Sequence, residues 1–284
     1  MRNYGFEFNL DAYVINTKKF KWNSNVNWSM NRNQILSIGE SEPFFSGQIS
    51  SGANIPGAYI DEGLVLGSWR GRVTNGIYQN MEQVDEDAWA SANDLGKMRF
   101  KDLNNDGKLT NDDLAIIGNP QPDFIWGWNN NFNYGNFELN VFINGVQGND
   151  IVSPGLNFLA GMRPRLANQV REFVQNPWTP DNPNTNTPMA SRNDVDRDEF
   201  SDFYIFDGSF LRLRNVRLAY NLPKNTYFDN ATIYISGQNL VTLTDYWGYD
   251  PEVNSQGQNN INQGVDKNAY PNARIYTVGV NLSF

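Results

Sequence analysis

The run Asp102-Leu103-Asn104-Asn105-Asp106-Gly107-Lys108-Leu109-Thr110-Asn111-Asp112-Asp113 has the residue types and spacing of a calcium-binding loop. In such loops, side-chain oxygens at the first, third and fifth places converge on one hard cation. A glycine at the sixth makes a sharp turn, and a backbone carbonyl serves at the seventh. Asp102, Asn104, Asp106, Gly107 and Lys108 occupy those places, and Asp113 stands twelfth, where glutamate is usual. Aspartate reaches less far, which weakens bidentate closure. The expected ion is Ca²⁺ in a structural role, because the flanking segments do not read as paired helices. The same residues also describe an Asn/Asp/Gly-rich turn that binds nothing.

The other chemistry on offer is stacking. Trp69, Trp89, Trp178, Tyr246 and Trp247 fall in loop-like sequence. Each could stack on a sugar ring, or simply pack its loop. Catalytic groupings are poor. Asp85-Glu86-Asp87 reads as the solvated face of a short helix, and no pair of carboxylates is singled out for glycoside hydrolysis. The chain has no Cys and no His, which removes thiol chemistry, the commonest general base and the commonest zinc ligand. Bond-making chemistry is therefore not expected, and the net charge of −9 argues against a nucleic-acid partner.

The elements that must position these residues are strands. Tyr276, Val278, Val280, Leu282 and Phe284 alternate with Thr277, Gly279, Asn281 and Ser283, so one strand face is apolar and the other small or polar. The same alternation runs from Tyr4 through Val14, from Trp22 to Met30, from Trp126 to Tyr134 and from Phe137 to Ile143. Each run is about the 9–11 residues that cross a bilayer as a tilted strand. In Phe210–Leu222 the phase slips between Leu213 and Val216, which a bulge near Arg214-Asn215 would reconcile, aiming Arg212, Arg214 and Arg217 at the polar face as ion-pair partners or gatekeeping charges. No stretch is long and apolar enough for a membrane-spanning helix. The apolar faces suit either lipid or the interior of a soluble β-sandwich.

Loop lengths favour lipid. The joints near 16–19, 135 and 223–230 are short; those at 38–124, 149–200 and 245–270 are long. Short turns on one side and long loops on the other are the habit of outer-membrane barrels. Within the long loops, a strand is expected around Val65 to Tyr78 and helices around Glu82 to Ala92 and Arg165 to Gln175. The expectation is thus an all-β chain, an antiparallel transmembrane β-barrel segment of about seven strands, with long extracellular loop regions at 38–124 and 149–200. Seven is odd and too few to close a barrel, and Met1-Arg2-Asn3 leads straight into strand pattern without a secretory signal. The expectation is that residues 1–284 are the C-terminal part of a longer barrel. The alternative is a secreted Ca²⁺-binding β-sandwich acting as a carbohydrate-binding module.

Several stretches are familiar together. Met98 through Gly107, Ile117-Gly118-Asn119-Pro120, Phe142 through Asp150, Ser209 through Val216, Gly237-Gln238-Asn239-Leu240 and Gly248-Tyr249-Asp250-Pro251-Glu252 resemble the SusC/RagA family of TonB-linked outer-membrane proteins in order and spacing over nearly the whole chain. The resemblance implies the last third of a 22-stranded barrel in the outer membrane, importing glycans or peptides. It implies a SusD-like surface lipoprotein as lid and the TonB complex as energy source, reached through parts not in this sequence. It also implies that the strand ending at Phe284 is the signal read by the barrel-assembly machinery.

Overall fold

A computed structural model describes residues 1–50, 55–155, 169–190, 199–224, 229–257 and 259–283. Seven strands form one antiparallel sheet in sequence order: β1 (Arg2–Asn16), β2 (Phe20–Gln34), β3 (Phe124–Tyr134), β4 (Phe137–Gln147), β5 (Phe210–Leu222), β6 (Asn230–Thr244) and β7 (Ile275–Ser283). Among the described residues each pairs only with its sequence neighbours, so β1 and β7 each keep one edge open. The register aligns the alternation from strand to strand. Leu10 sits opposite Val26, Val26 opposite Trp128, Trp128 opposite Ile143, and Ile143 opposite Leu213. Leu213 then faces Val241 and, lower down, Ile233 faces Val280. Directly opposed residues share a face, so the apolar face is continuous across all seven strands.

Among the described residues no second sheet covers that face. Phe6 is 71 % exposed and Val278 78 % exposed, with many apolar neighbours beside them. A sandwich requires two such faces in contact, so the sandwich reading fails here, while a lipid-facing wall suits the exposure. Two of the tryptophans on this face have their polar group paired. The Trp22 indole N–H donates to Asn130 Oδ1 at 2.9 Å and that of Trp128 to Ser24 Oγ at 2.9 Å. In hydrocarbon a polar group must find its partner within the protein.

Two bulges adjust the phase. The β5–β6 register shifts between Leu213 and Asn215, at the place the sequence pattern indicated. In β1 a shift between Tyr13 and Ile15 sets Ile15 opposite Trp22; Val14, which the alternation assigned to the apolar row, is the inserted residue.

The connections sort by end. Residues 17–19, 135–136 and 223–229 join strands at one end of the sheet; 35–123, 148–209 and 245–274 join them at the other. The long connections form a cap with its own core. Ile49, Ile55 and Trp69 from the first meet Val152, Phe200 and Tyr204 from the second and Val265 from the third. Backbone bonds stitch them: Arg72 N–H to Phe200 O at 2.9 Å, Val152 N–H to Gly264 O at 2.8 Å, and Asp266 N–H to Val152 O at 2.9 Å. Gly264, at φ +66°, lies so close that a Cβ would meet the Asp150 carbonyl at 2.8 Å. Trp69 is wholly buried, worth roughly 4–6 kcal/mol as an upper bound from aromatic area.

The strand expected over Val65 to Tyr78 is two short strands, Trp69–Arg72 and Thr74–Ile77, paired with Leu114–Gly118 and Met98–Phe100. The helix expected to Ala92 spans only Met81–Glu86. Asn80 caps its start, accepting from Gln83 N–H, and Asp87 turns extended at its end. Of the helix expected from Arg165, only Arg171–Gln175 is seen; residues 165–168 lie outside the described residues. The second long connection runs past 200, because Ile205–Asp207 pairs with Asp150–Val152 before β5 begins.

Candidate functional site

The polar face of the sheet is an amide wall. Asn25 Nδ2 donates to Asn9 Oδ1 at 2.9 Å, Asn140 Nδ2 to Asn129 and Asn131 Oδ1 at 2.7 Å each, and Asn215 Nδ2 to Asn140 Oδ1 at 3.0 Å. Short amides on alternate positions of adjacent strands lie within reach of one another, so the wall is polar and internally bonded.

Toward its long-connection end Arg212 and Arg214 project beside the bulge, and Arg217 projects further down the same wall. Arg212, 1 % exposed, binds Asp250 Oδ1 at 2.5 Å and Glu252 Oε2 at 2.6 Å. Arg214 binds the other Glu252 oxygen, and Arg217 lies 4.0 Å from Glu138. They are salt-bridge partners. Arg212 and Arg214 pin residues 250–252 of the third connection onto the wall. Burial pushes the Asp250 carboxyl up, but the Arg212 bond and the N–H groups of Glu252 and Asn272 outweigh it and hold it below the ordinary carboxylate range. Sequence pattern placed the arginines but not their acids, which lie 38 and 40 residues on; a buried guanidinium on a strand face was the available sign that such partners had to exist.

A second buried arginine closes the cap. Arg72 donates to Glu199 Oε2 at 2.6 Å and to the Thr110 carbonyl, and lies 3.9 Å from Asp113 Oδ2. Asp113 is fully buried and accepts from Leu103 N–H at 3.0 Å and Thr110 N–H at 2.7 Å. The Thr110 bond, opposed by burial and aided by Leu103, holds its carboxyl below the ordinary range. Asp102 accepts backbone N–H groups from Asn105 at 2.7 Å and Gly107 at 2.8 Å; Asn104 accepts from Asp106, and Asp106 from Lys108. Gly107 has φ +77°, as the sharp turn demands. Among the described residues no three His, Cys, Asp or Glu side chains are gathered as a metal centre. The expected ligands Asp102, Asn104, Asp106, Lys108 and Asp113 lie in one turn braced by side-chain bonds to its own backbone, with Asp113 3.9 Å from Arg72.

The aromatics divide. Trp69, Trp178 and Tyr246 are buried at 0, 8 and 5 % exposure, and a buried ring has no face free for a sugar. They pack the cap. The Tyr246 hydroxyl donates to Asp266 Oδ2 at 2.5 Å, and burial with that bond pushes its pKa up. Trp247 is 37 % exposed and stands against Phe206, ring centroids 5.7 Å apart. Trp89 is half-buried on the cap surface. In β7, Tyr276, Val278, Val280 and Leu282 are all exposed on the apolar face; Phe284 lies outside the described residues.

No protein-family model matches the chain. Curated relatives do. It is 35 % identical over 300 residues to TonB-dependent receptor P3 of Formosa agariphila and 27 % identical over 295 residues to TonB-dependent receptor SusC of Bacteroides thetaiotaomicron. Both alignments take in all of this chain, which spans 29 % and 26 % of those relatives. Among solved structures, the RagAB peptide transporter matches with a TM-score of 0.77 at 21 % identity, over 99 % of this chain and 29 % of that one. By sequence along its whole length and by fold, the chain is a homologue of part of the SusC/RagA-type TonB-dependent receptors, and its sheet is a stretch of an outer-membrane β-barrel.

Proposed function

We propose that the chain forms the C-terminal wall and part of the outer mouth of a TonB-dependent importer that takes glycans or peptides across the outer membrane. A SusD-like surface lipoprotein works as its lid, and the TonB complex, reached through other parts of the receptor, supplies energy. The observation that carries this reading is the two-faced sheet with all its long connections fused into one cap at one end. Apolar side chains face lipid, the amide wall faces the lumen, and the Arg212 and Arg214 pairs hold a mouth segment against that wall. Such a body binds and gates, and no bond chemistry is assigned to it. The strand ending at Phe284 serves barrel assembly in this reading, its apolar row presented for the assembly machinery.

The test is uptake. Cells with and without the gene are given fluorescent oligosaccharides and peptides, with and without a protonophore. Gene-dependent, energy-dependent uptake of one class, and a lipoprotein co-purifying with the protein in mild detergent, support the proposal. Recovery of the protein in the soluble fraction, or uptake of neither class depending on it, overturns the proposal.

A further inference from the structure

A notch of about 420 Å³ opens beside the apolar row of the sheet, where β5 and β6 meet the long connections. A glycine makes room for it. In register, Gly145 sits between Trp126 and Leu211, and Leu211 faces Leu243. The Trp126 indole lies across Gly145: a Cβ there would stand 2.5 Å from Nε1, so no side chain fits. Trp126, Leu211 and Leu243 line the notch from the sheet, and Asp207, Ser209 and Asp245 line it from the connections. Chemistry changes at this level. Along β6, Val241 and Leu243 lead on to Asp245; along β5, Leu213 and Leu211 lead back to Ser209 and Asp207. Residues two apart share a strand face, so the notch stands where a hydrocarbon-facing row gives way to polar groups, the level that tryptophans favour. Trp128, two residues further into the apolar face, gives its N–H to Ser24; Trp126 gives its N–H to none of the described residues.

We propose that this notch seats a membrane lipid whose head carries an ammonium group, with its first acyl carbons against Trp126, Leu211 and Leu243. Continuity is the first argument. The apolar row that lines the notch belongs to the wall that faces lipid, and Leu243 is 60 % exposed, so hydrocarbon already reaches this point. The volume is of the size that small ligands occupy, about 300–1,000 Å³. Charge is the second argument. Asp207 and Asp245 are the only charged residues among those that line the notch. Both are exposed, and neither has an ion pair among the described residues. Asp207 Oδ1 accepts the Ser209 N–H at 2.8 Å. The neighbouring Asp150 carboxyl is pushed above the ordinary range, by burial foremost and also by the charges of Asp207 and Asp123. Asp123 is balanced by Arg32 at 2.7 Å, whereas Asp207 is not balanced. The rim therefore repels a bare lipid phosphate and attracts a cation. An ammonium brings three donors, and its bonds to carboxylates are charge-assisted. The Trp126 N–H is left for an ester or phosphate oxygen of the same lipid. Because Asp207 and Asp245 come from the second and third connections, a seated lipid ties the base of the cap to the membrane surface. This inference goes beyond the importer reading and rests only on the sheet being barrel wall.

The test is native mass spectrometry of the intact receptor in detergent. It is titrated with phosphatidylethanolamine, phosphatidylcholine and phosphatidylglycerol of matched acyl chains, with and without Mg²⁺. The expected result is preferential binding of phosphatidylethanolamine, whose head alone of the three has ammonium N–H donors, with no effect of Mg²⁺. Asp207→Asn combined with Asp245→Asn should weaken that binding by about tenfold or more, equivalent to ~1.4 kcal/mol. Asp229→Asn, an acid at the short-turn end of the sheet, should leave it unchanged. Heat-shifted migration on unheated gels shows that each variant is folded; should the double variant fail it, Leu243→Trp, which narrows the notch, reads the same loss. Equal phosphatidylethanolamine binding by the folded double variant, or no preference for that lipid over the other two, overturns the proposal. So does phosphatidylglycerol binding that requires Mg²⁺, which would mean a metal bridge to phosphate in place of an ammonium. The importer reading is tested separately by uptake and stands or falls apart from these outcomes.

Discussion

Replacing Arg212 by methionine removes a buried guanidinium and keeps an apolar stem in its place. Asp250, 4 % exposed, retains the Glu252 and Asn272 N–H groups, each at 2.9 Å, but loses its counter-charge. Deleting one partner of a buried pair costs about 3–5 kcal/mol. Arg212 Nε has no acceptor among the described residues, and relief of that deficit returns roughly 1 kcal/mol. The net expectation is a loosening of residues 250–272 by about 2–4 kcal/mol. The two donor amides report it directly. At a tenfold change per 1.36 kcal/mol, their hydrogen exchange quickens by about thirtyfold to a thousandfold, read by mass spectrometry on the intact protein in detergent, while peptides from β6 keep their protection. Arg212→Met with Asp250→Leu should recover most of the loss, since an apolar pair leaves no bare charge. Unchanged protection of both amides in Arg212→Met, or a double variant worse than the single, refutes the account. The pH dependence has a definite sign. Asp250 is held below its unfolded value, so its contribution is full above about pH 4 and is lost as pH falls through the depressed folded value. Arg212→Met should flatten that acid loss.

Asp113→Asn leaves one acceptor oxygen for two part-buried N–H groups, those of Leu103 and Thr110, and should destabilise the turn by about 1 kcal/mol, seen as faster tryptic cleavage at Lys108. If the loop holds the Ca²⁺ its sequence pattern expects, micromolar Ca²⁺ should protect it saturably and EDTA should reverse that protection; cleavage indifferent to both would refute the expectation. Trp22→Phe strips the Asn130 amide of its donor on the lipid face and should cost about 0.6–2 kcal/mol in folding into lipid vesicles, with Asn130→Val on top returning most of it. Expressed alone without detergent, the chain should aggregate, because β1 and β7 expose unpaired edges; a soluble monomer with one cooperative unfolding transition would contradict this.

The strands were legible because their determinants are local. A residue's face follows from parity along the chain, and parity survives in the sequence wherever Asn, Glu and Asp alternate with Trp, Phe and Leu. Even the β5 bulge showed itself, as a phase slip between Leu213 and Val216. The β1 bulge did not, because Tyr13, Val14 and Ile15 are all apolar and conceal the inserted residue. The cap was illegible for a different reason. Its core joins Ile49, Trp69, Val152 and Val265, contacts that span up to 216 residues and follow no period. Without that core, a tryptophan at the surface cannot be told from one that is hidden: Trp69 and Trp178 are buried in the cap, whereas Trp89 stays half-buried at its surface. Asp113 gains a neighbour in the same way. Its place in the ligand pattern is local, but the buried Arg72 beside it comes from 41 residues upstream. Which loop side chains stay outside is therefore decided by long-range closure, which no local pattern along the chain records.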